Sequence, residues 1–145
     1  MKYAVSIEIG LSLERVIELF DNPDNLKYWM EGIVGFELIS GQPRQPGSKY
    51  KLTFKQGKRT VVMIETITVR NPPHELSWSF DINGTQNNVR NLFERISENK
   101  TRLTNEQEFI AKGFMKIMGR LFKGMFKKQS LKYMNAFKKF AESKK

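Results

Sequence analysis

The feature that most constrains this chain is its C-terminal stretch, residues 114–140, where bulky apolar side chains recur at helical spacing. Placed on a helical wheel, one broad face carries Phe114, Met115, Met118, Leu121, Phe122, Met125, Phe126, Tyr133, Ala136, Phe137 and Phe140. The opposite face carries Lys116, Arg120, Lys123, Lys127 and Lys138. The pattern predicts one long amphipathic helix. Because Phe and Met are bulky and adaptable, such a helix can cover a curved surface without filling it, and can therefore roof a cavity.

The positive charge of the chain is concentrated in the same segment. Residues 112–145 carry 11 Lys and Arg against the single acid Glu142, whereas residues 1–111 carry 14 Lys and Arg against 14 Asp and Glu. One interpretation is a solvated face that keeps an apolar helix soluble. The other is a surface that attracts anionic lipid headgroups, nucleic acid or an acidic partner.

Composition narrows the chemistry that the chain can perform. A length of 145 residues predicts one domain, residues 1–145. The sequence has no Cys, which excludes disulfides, thiolate metal sites and a Cys nucleophile, and its one imidazole, His74, excludes a zinc site built on several His. We therefore expect no metal and no cofactor. Because no apolar run is long enough to cross a bilayer and the N-terminus lacks a signal-peptide pattern, we expect a cytoplasmic protein.

Local periodicity predicts an order of elements along the chain. Residues 2–9 alternate as a strand, Ser12 is placed to cap a short helix that ends at Asp21, and Asp24 is placed to cap a second short helix. Six further strands are predicted over residues 35–40, 49–55, 59–70, 75–82, 85–97 and 101–110. Asn83-Gly84 is the strongest hairpin signal. The two short helices lack the basic surface of a DNA-recognition helix, so nucleic acid is not an expected partner.

These elements predict an α+β fold in which about seven antiparallel strands form a curved sheet. Such a sheet has one apolar face to bury, and the largest apolar surface left is the C-terminal helix. We therefore expect the sheet to wrap round that helix, with the two short helices after strand one closing one end. This is a helix-grip arrangement.

Several local motifs, in this order, are similar to those of a known superfamily. They are Leu13-Glu14-Arg15-Val16, Asn22-Pro23-Asp24-Asn25-Leu26 leading to Trp29, Pro46-Gly47-Ser48, Asn71-Pro72-Pro73-His74-Glu75-Leu76 before Trp78, and Lys100-Thr101-Arg102-Leu103-Thr104. Together they resemble the START and birch-pollen-allergen proteins, also called SRPBCC or polyketide cyclase/dehydrase and lipid-transport proteins. The resemblance covers the whole chain. It implies a deep apolar cavity for a lipid, polyketide or sterol, but no single activity, because the superfamily mixes carriers, cyclases, hydroxylase subunits and chaperone activators. The allergen-type glycine-rich phosphate loop is missing, since residues 41–47 carry two Pro and one Arg.

Strand alternation nominates the residues that would bind a ligand. If the strand over residues 75–82 turns its apolar residues inward, the last strand presents two amides among apolar neighbours. The predicted ligand-binding residues are Trp78, Phe80, Asn105, Gln107, Phe109, Met118, Phe122 and Phe126. Convergent polar groups in an apolar pocket fix the orientation of small ligands. An alternative is that each amide simply bonds a neighbouring side chain or water, and that Trp78 and Trp29 only pack in the core.

Three charged residues are candidates for catalysis. Glu65 lies in phase with apolar neighbours on its strand, and Arg90 and Glu94 lie in phase with Leu92 on theirs. In an apolar pocket a carboxyl group would have a raised pKa and could exchange protons with a substrate. The phase of the second strand is ambiguous, however, because Val89 favours the opposite face. An ordinary cross-strand ion pair is the alternative for Arg90 and Glu94.

Three functions stay open at this stage, beside the general alternative of an interaction scaffold. The first is a non-enzymatic carrier or sensor of an apolar small molecule. The second is a cyclase or aromatase that uses Glu65 or Glu94 with Arg90. The third is binding to an anionic membrane surface or to nucleic acid through Lys116, Arg120, Lys123 and Lys127. Neither the ligand nor the oligomeric state follows from the sequence.

Overall fold

The chain forms a seven-stranded antiparallel sheet with helices on its inner side. A computed structural model describes residues 1–82 and 84–145. The strands are β1 (Lys2–Ile9), β2 (Ile33–Ser40), β3 (Lys49–Gln56), β4 (Arg59–Asn71), β5 (Glu75–Ile82), β6 (Thr85–Ser97) and β7 (Lys100–Ile110). The helices are α1 (Leu13–Phe20), α2 (Leu26–Trp29), α3 (Phe114–Leu121) and α4 (Lys123–Glu142), with a 3-10 turn at Pro23–Asn25. The predicted helix-grip fold is confirmed.

The sheet is an open meander that one long-range pairing extends by a strand. Its order is β1-β7-β6-β5-β4-β3-β2, so consecutive strands pair from β2 to β7 and β1 joins the edge of β7. All six pairings are antiparallel, which short connections permit. The predicted strand bounds agree with the observed ones to within two residues. The predicted Asn83-Gly84 turn includes Asn83, which lies outside the described residues, and Gly84 has φ +83°.

The predicted capping residues are partly right. Ser12 caps α1, and its side chain accepts a hydrogen bond from the Arg15 N–H at 3.3 Å. The prediction that Asp24 caps the second helix is wrong. Asn22 takes that role for the 3-10 turn, since its Oδ1 accepts from the Asp24 N–H at 3.0 Å. The chain therefore begins to coil two residues earlier than expected.

The predicted single helix over residues 114–140 is two helices. Helix α3 ends at Leu121, and Phe122 interrupts the run with φ −106° and ψ 17° before α4 begins. Gly119 and Gly124 flank this break, and each lowers local helix propensity by about 1 kcal/mol relative to Ala. No residue of α3 is buried, whereas α4 buries Met134, Phe137 and Ala141.

An aromatic cluster fixes the C-terminal end of α4 against the short helices. The Phe20 ring lies 5.4 Å from Trp29 and 5.1 Å from Phe137, centroid to centroid. Phe93 of β6 meets Phe20 edge to face at 5.2 Å. Such pairs add about 0.5–1.5 kcal/mol each beyond their burial. This end of the grip is therefore closed by packing.

Candidate functional site: a cavity between the sheet and α4

A large cavity lies between the inner face of the sheet and helix α4. Its volume is about 500 Å³, within the range of about 300–1,000 Å³ that is usual for small-molecule sites. Apolar and aromatic side chains from β3 to β7 form most of the wall. Helix α4 contributes Phe126, Gln129, Ser130, Tyr133 and Met134. The arrangement can enclose a mostly apolar molecule and offers a small number of polar contacts.

Most of the predicted ligand-binding residues lie in this wall. They are Trp78, Phe80, Asn105, Gln107, Phe109 and Phe126. Their role in binding stays a prediction. Met118 and Phe122 do not line the cavity, so their predicted placement is wrong. The reason is the break at Phe122. Because of it, α3 does not continue the axis of α4 as one unbroken helix would, and the Phe122 side chain is exposed.

Four amide side chains form a hydrogen-bonded chain along the cavity wall. Asn87 Nδ2 donates to Gln107 Oε1 at 2.9 Å, Gln107 Nε2 donates to Asn105 Oδ1 at 2.7 Å, and Asn105 Nδ2 donates to Asn91 Oδ1 at 2.8 Å. All four residues line the large cavity. Asn105 and Gln107 thus bond neighbouring side chains, as the alternative considered above states, and their role in binding a ligand stays a prediction.

Sequence reasoning missed Asn87 and Asn91, the two members of this chain on β6. Both are buried, together with Val89 and Phe93, on the inner face of that strand. The signal was present, because Val89 and Phe93 favoured this phase. That signal was weak because amides alternate with apolar residues on the inner face of β6. Leu92 also places an apolar residue on the outer face.

Two buried donors in residues of the cavity wall have no hydrogen-bond partner within the part of the chain that the structure describes. They are Asn91 Nδ2 and Trp29 Nε1. Both residues line the large cavity. An unsatisfied buried donor costs about 1–3 kcal/mol, and such groups are rare in native structures. Less than 1 Å² of the surface of either nitrogen is accessible, so both donors are packed within the wall.

A smaller cavity, of about 90 Å³, adjoins the large one and contains Glu65. The two cavities share four lining residues, Phe20, Trp29, Met30 and Trp78. The Glu65 carboxyl is buried, and desolvation raises its pKa to about 7. It has no hydrogen-bond or ion-pair partner among the described residues. Glu65 thus faces the pocket region as the sequence predicted, and it can carry or release a proton near neutral pH.

Three further charged residues line the smaller cavity and pair with one another. Arg70 makes a bidentate contact to Asp21, with Nη1 to Oδ1 and Nη2 to Oδ2 both at 2.8 Å. Arg44 Nη2 lies 3.5 Å from Asp21 Oδ1. One carboxylate thus faces two guanidinium groups, so this rim of the smaller cavity carries net positive charge.

The placement of Arg90 and Glu94 in the pocket is wrong. Both lie on the outer face of β6, because Val89 and Phe93 take the inner positions. Arg90 bridges Glu75 at 3.2 Å and Glu106 at 3.1 Å, and Glu94 lies 3.5 Å from Arg102. These are exposed cross-strand ion pairs, the alternative considered for them above. Of the three catalytic candidates, only Glu65 lines either of the two cavities on the inner side of the sheet, whereas Arg90 borders a depression on the outer side.

A polar contact joins β1 to the start of α4 at the edge of the large cavity. Tyr3 OH donates to the Phe126 carbonyl oxygen at 3.1 Å and lies 2.7 Å from Ser130 Oγ. Burial raises the pKa of the Tyr3 phenol, so it is neutral at physiological pH. The contact holds the N-terminal part of α4 where the aromatic cluster does not reach.

Other kinds of site find little support in the described part of the chain. Within residues 1–82 and 84–145, no three acidic or imidazole side chains gather closely enough to hold a metal ion. His74 is exposed in the turn before β5. No described helix is both long and apolar enough to span a bilayer.

The curved sheet, the helix laid across it and the cavity between them define the chain as a helix-grip domain. Solved structures share this fold. The chain matches the aromatase/cyclase Zhui from Streptomyces sp. R1128 with a TM-score of 0.76 at 11% identity, covering 98% of this chain and 93% of that one. It matches Ara h 8.0201 with a TM-score of 0.76 at 12% identity, covering 99% and 98%. A conserved protein from Geobacillus kaustophilus matches with a TM-score of 0.75 at 20% identity, covering 99% and 96%.

The sequence itself identifies the family. A family model described as "Polyketide cyclase / dehydrase and lipid transport" matches residues 1–136. The chain belongs to this family, and the resemblance to the START and birch-pollen-allergen superfamily is confirmed. No curated protein matches the sequence.

Proposed function

We propose that this protein binds an apolar small molecule, lipid-like or polyketide-like, in the large cavity. The observation that carries the proposal is the volume of about 500 Å³ enclosed by aromatic and aliphatic side chains. Removing apolar surface from water stabilises a bound ligand by about 25 cal/mol per Å², and the cavity is large enough for this term to be substantial. Membership of the family supports the same function.

A pair of neighbouring valines provides the test. Val61 lines the large cavity, whereas Val62 is exposed on the other face of β4. Val61→Trp should fill part of the cavity and weaken binding of a fluorescent fatty acid at least 10-fold, while Val62→Trp should leave binding unchanged. Equal effects of the two substitutions, or no binding by the wild type in titration and native mass spectrometry, would refute the proposal.

A second candidate function, proton-transfer catalysis on the bound ligand, is favoured by Glu65. Its carboxyl is buried at the smaller cavity and has no partner among the residues that the structure describes. Desolvation raises its pKa to about 7, so that both protonation states are populated near neutral pH. The ionised carboxylate would accept a proton from the carbon next to a ligand carbonyl, and the enolate would later recover a proton from the carboxylic acid. This is the proton-exchange part of aldol-type cyclase chemistry.

Hydrogen–deuterium exchange at an enolisable carbon tests this candidate directly. The methyl group of 2-acetylnaphthalene should exchange in D₂O faster with the wild type than without protein. Glu65→Gln should keep the affinity and lose the acceleration, and Glu94→Gln is the control because Glu94 lies on the outer face. Acceleration that survives Glu65→Gln would rule out this role.

A third candidate function, docking on an anionic membrane, is favoured by helix α3. The helix buries none of its residues, and Phe114 and Leu121 are 71% and 72% exposed. Met115, Ile117 and Met125 are exposed as well. An exposed cluster of large apolar side chains on a soluble domain usually marks an interaction surface.

Charge indicates which partner covers this surface. The apolar residues of α3 alternate with basic ones, and Glu142 is the only acid in residues 112–145. An anionic bilayer satisfies both features, since the apolar face enters the acyl boundary while Lys and Arg contact the headgroups. Nucleic acid would meet only the basic residues and would leave Phe114 and Leu121 in water. An adjacent membrane would also be a source of an apolar ligand.

Vesicle flotation separates these partners. The protein should associate with phosphatidylglycerol vesicles more strongly than with phosphatidylcholine vesicles, and less at high salt. Leu121→Ser should reduce this association, whereas Val34→Ser, on a valine exposed elsewhere on β2, should not. Two results would refute membrane docking: no vesicle binding, or binding to RNA that is stronger than to vesicles and unchanged by Leu121→Ser.

A further inference from the structure

The exposed apolar surface at α3 contains two methionines that are more exposed than any other methionine of the chain. Met115 of α3 is 54% exposed, and Met125, in the first turn of α4, is 58% exposed. The sequence has 7 methionines, and the remaining ones are buried or partly buried, namely Met1, Met30, Met63, Met118 and Met134. A reagent dissolved in water therefore meets Met115 and Met125 before it meets the other methionine side chains.

Exposure decides how fast a methionine reacts with a hydroperoxide. The thioether sulfur attacks one oxygen of the peroxide, the O–O bond breaks, and that oxygen joins the sulfur as a sulfoxide. The other oxygen leaves with the peroxide proton as water or an alcohol, so the sulfur loses two electrons and the peroxide gains two. The sulfur and the peroxide must touch, and a core methionine therefore reacts only when the protein opens around it.

A sulfoxide at either position would make the surface at α3 more polar where a bilayer would cover it. The sulfoxide oxygen accepts hydrogen bonds from water, and acyl chains contain no donor to replace them. The exposed neighbours Phe114, Ile117 and Leu121 have hydrocarbon side chains and supply no donor either. The Lys and Arg side chains keep their charge, so oxidation weakens insertion of the apolar face and leaves the attraction to the headgroups in place.

We propose that Met115 and Met125 are modification sites, and that their oxidation by a hydroperoxide releases the protein from an anionic membrane. This inference rests on the membrane docking proposed above and adds its regulation. Methionine sulfoxide can be reduced enzymatically, so the change is reversible. Neither residue lines the large cavity, whereas Met30, Met63 and Met134 do. Oxidation confined to the exposed pair therefore leaves the ligand cavity unchanged.

Peptide mapping by mass spectrometry after brief treatment with hydrogen peroxide tests the two sites. Sulfoxide should form at Met115 and Met125 at least about 10-fold faster than at Met134, whose side chain is buried in the folded protein. In concentrated urea the three residues should react at similar rates, which is the control for intrinsic reactivity. Equal rates in the folded protein, or earlier reaction of Met134, would overturn the assignment of the sites.

Flotation of the same samples with phosphatidylglycerol vesicles tests the consequence. Oxidised wild type should bind at least about 10-fold more weakly than untreated protein, because two apolar side chains have become polar. The double variant Met115→Leu, Met125→Leu is the matched control, and it should bind before and after peroxide treatment.

Two results would overturn the regulation while docking stands. One is unchanged binding of wild type in which both sulfoxides have formed, and the other is loss of binding by the peroxide-treated double variant. If the untreated protein does not float, the docking proposal itself fails and its regulation fails with it.

Discussion

The two ends of the C-terminal helical segment have similar sequence patterns and different environments. At the α4 end, Phe137 is fully buried against Phe20 and Trp29. At the α3 end, Phe114 and Leu121 lie in water. Both ends place bulky apolar residues at helical spacing, so periodicity alone treats them alike. The difference shows that an apolar helix face is buried only where another element offers a matching surface.

The largest expected effect is on stability at the packed end. Phe137→Ala should lower the free energy of unfolding by about 3–5 kcal/mol, because it removes a ring that touches two other aromatic rings in a filled core. Leu121→Ala should change it by less than about 0.5 kcal/mol, because that side chain is already exposed. Urea denaturation of both variants makes the measurement. Similar losses would mean that α3 is packed in solution.

The second effect is a pH dependence of the stability, and it comes from Glu65, which lies beside the packed end. Its pKa is about 7 in the folded protein against the ordinary value of 4.5, so the folded state holds the proton more tightly. Between these values the folded state binds more protons than the unfolded state, and stability therefore falls as pH rises. The loss from this group should reach on the order of 3 kcal/mol above pH 7.

Denaturation at several pH values checks this prediction. The decrease in the free energy of unfolding between pH 5 and pH 8 should be much smaller in Glu65→Gln, whose side chain does not titrate. Glu94→Gln should behave like the wild type, since Glu94 is exposed. A slope that persists unchanged in Glu65→Gln would assign the pH dependence to another group.

A smaller effect is expected at the junction between the two ends. Tyr3→Phe removes the hydrogen bond to the Phe126 carbonyl and the contact to Ser130, so it should cost about 1–2 kcal/mol. Tyr28→Phe is the matched control, because Tyr28 is 58% exposed and stacks on Phe140 through its ring. Hydrogen exchange should show the loss of protection in Tyr3→Phe concentrated at residues 123–130. A uniform loss over α4 would show that both ends open together.

The smallest effect concerns helix propensity within α3. A Cβ at Gly119 would meet no atom within 4 Å, so Gly119→Ala introduces no clash and should favour the helix by up to about 1 kcal/mol. Because α3 packs so little, the gain should appear as higher helicity by circular dichroism and hardly at all in global stability. A clear rise in the denaturation midpoint would show that α3 is coupled to the core.

The meander could be read from the sequence because its strands alternate strongly and short turns join them. Alternation placed Trp78, Phe80 and Asn105 on the inner faces of β5 and β7. It also predicted, from the phase of β4, that Glu65 points inward. Alternation did not predict which face of β6 points inward. Asn87 and Asn91 occupy inner positions, and polar residues in a strand ordinarily indicate the outer face. Only the amide chain across β6 and β7 accounts for those residues, and it depends on strand pairing.

By itself the sequence determined the order of the strands and short helices, the antiparallel sheet and the excess of positive charge in residues 112–145, because these depend on local periodicity and composition. The family followed from the order of its motifs and from the family model. The tertiary structure decided where the C-terminal helix breaks, which of its apolar residues are buried, and that Arg90 and Glu94 lie outside the cavity. It also decided that Asn91 Nδ2 and Trp29 Nε1 meet no acceptor among residues 1–82 and 84–145. Those outcomes depend on contacts between residues far apart in the chain, and local periodicity carries no information about such contacts.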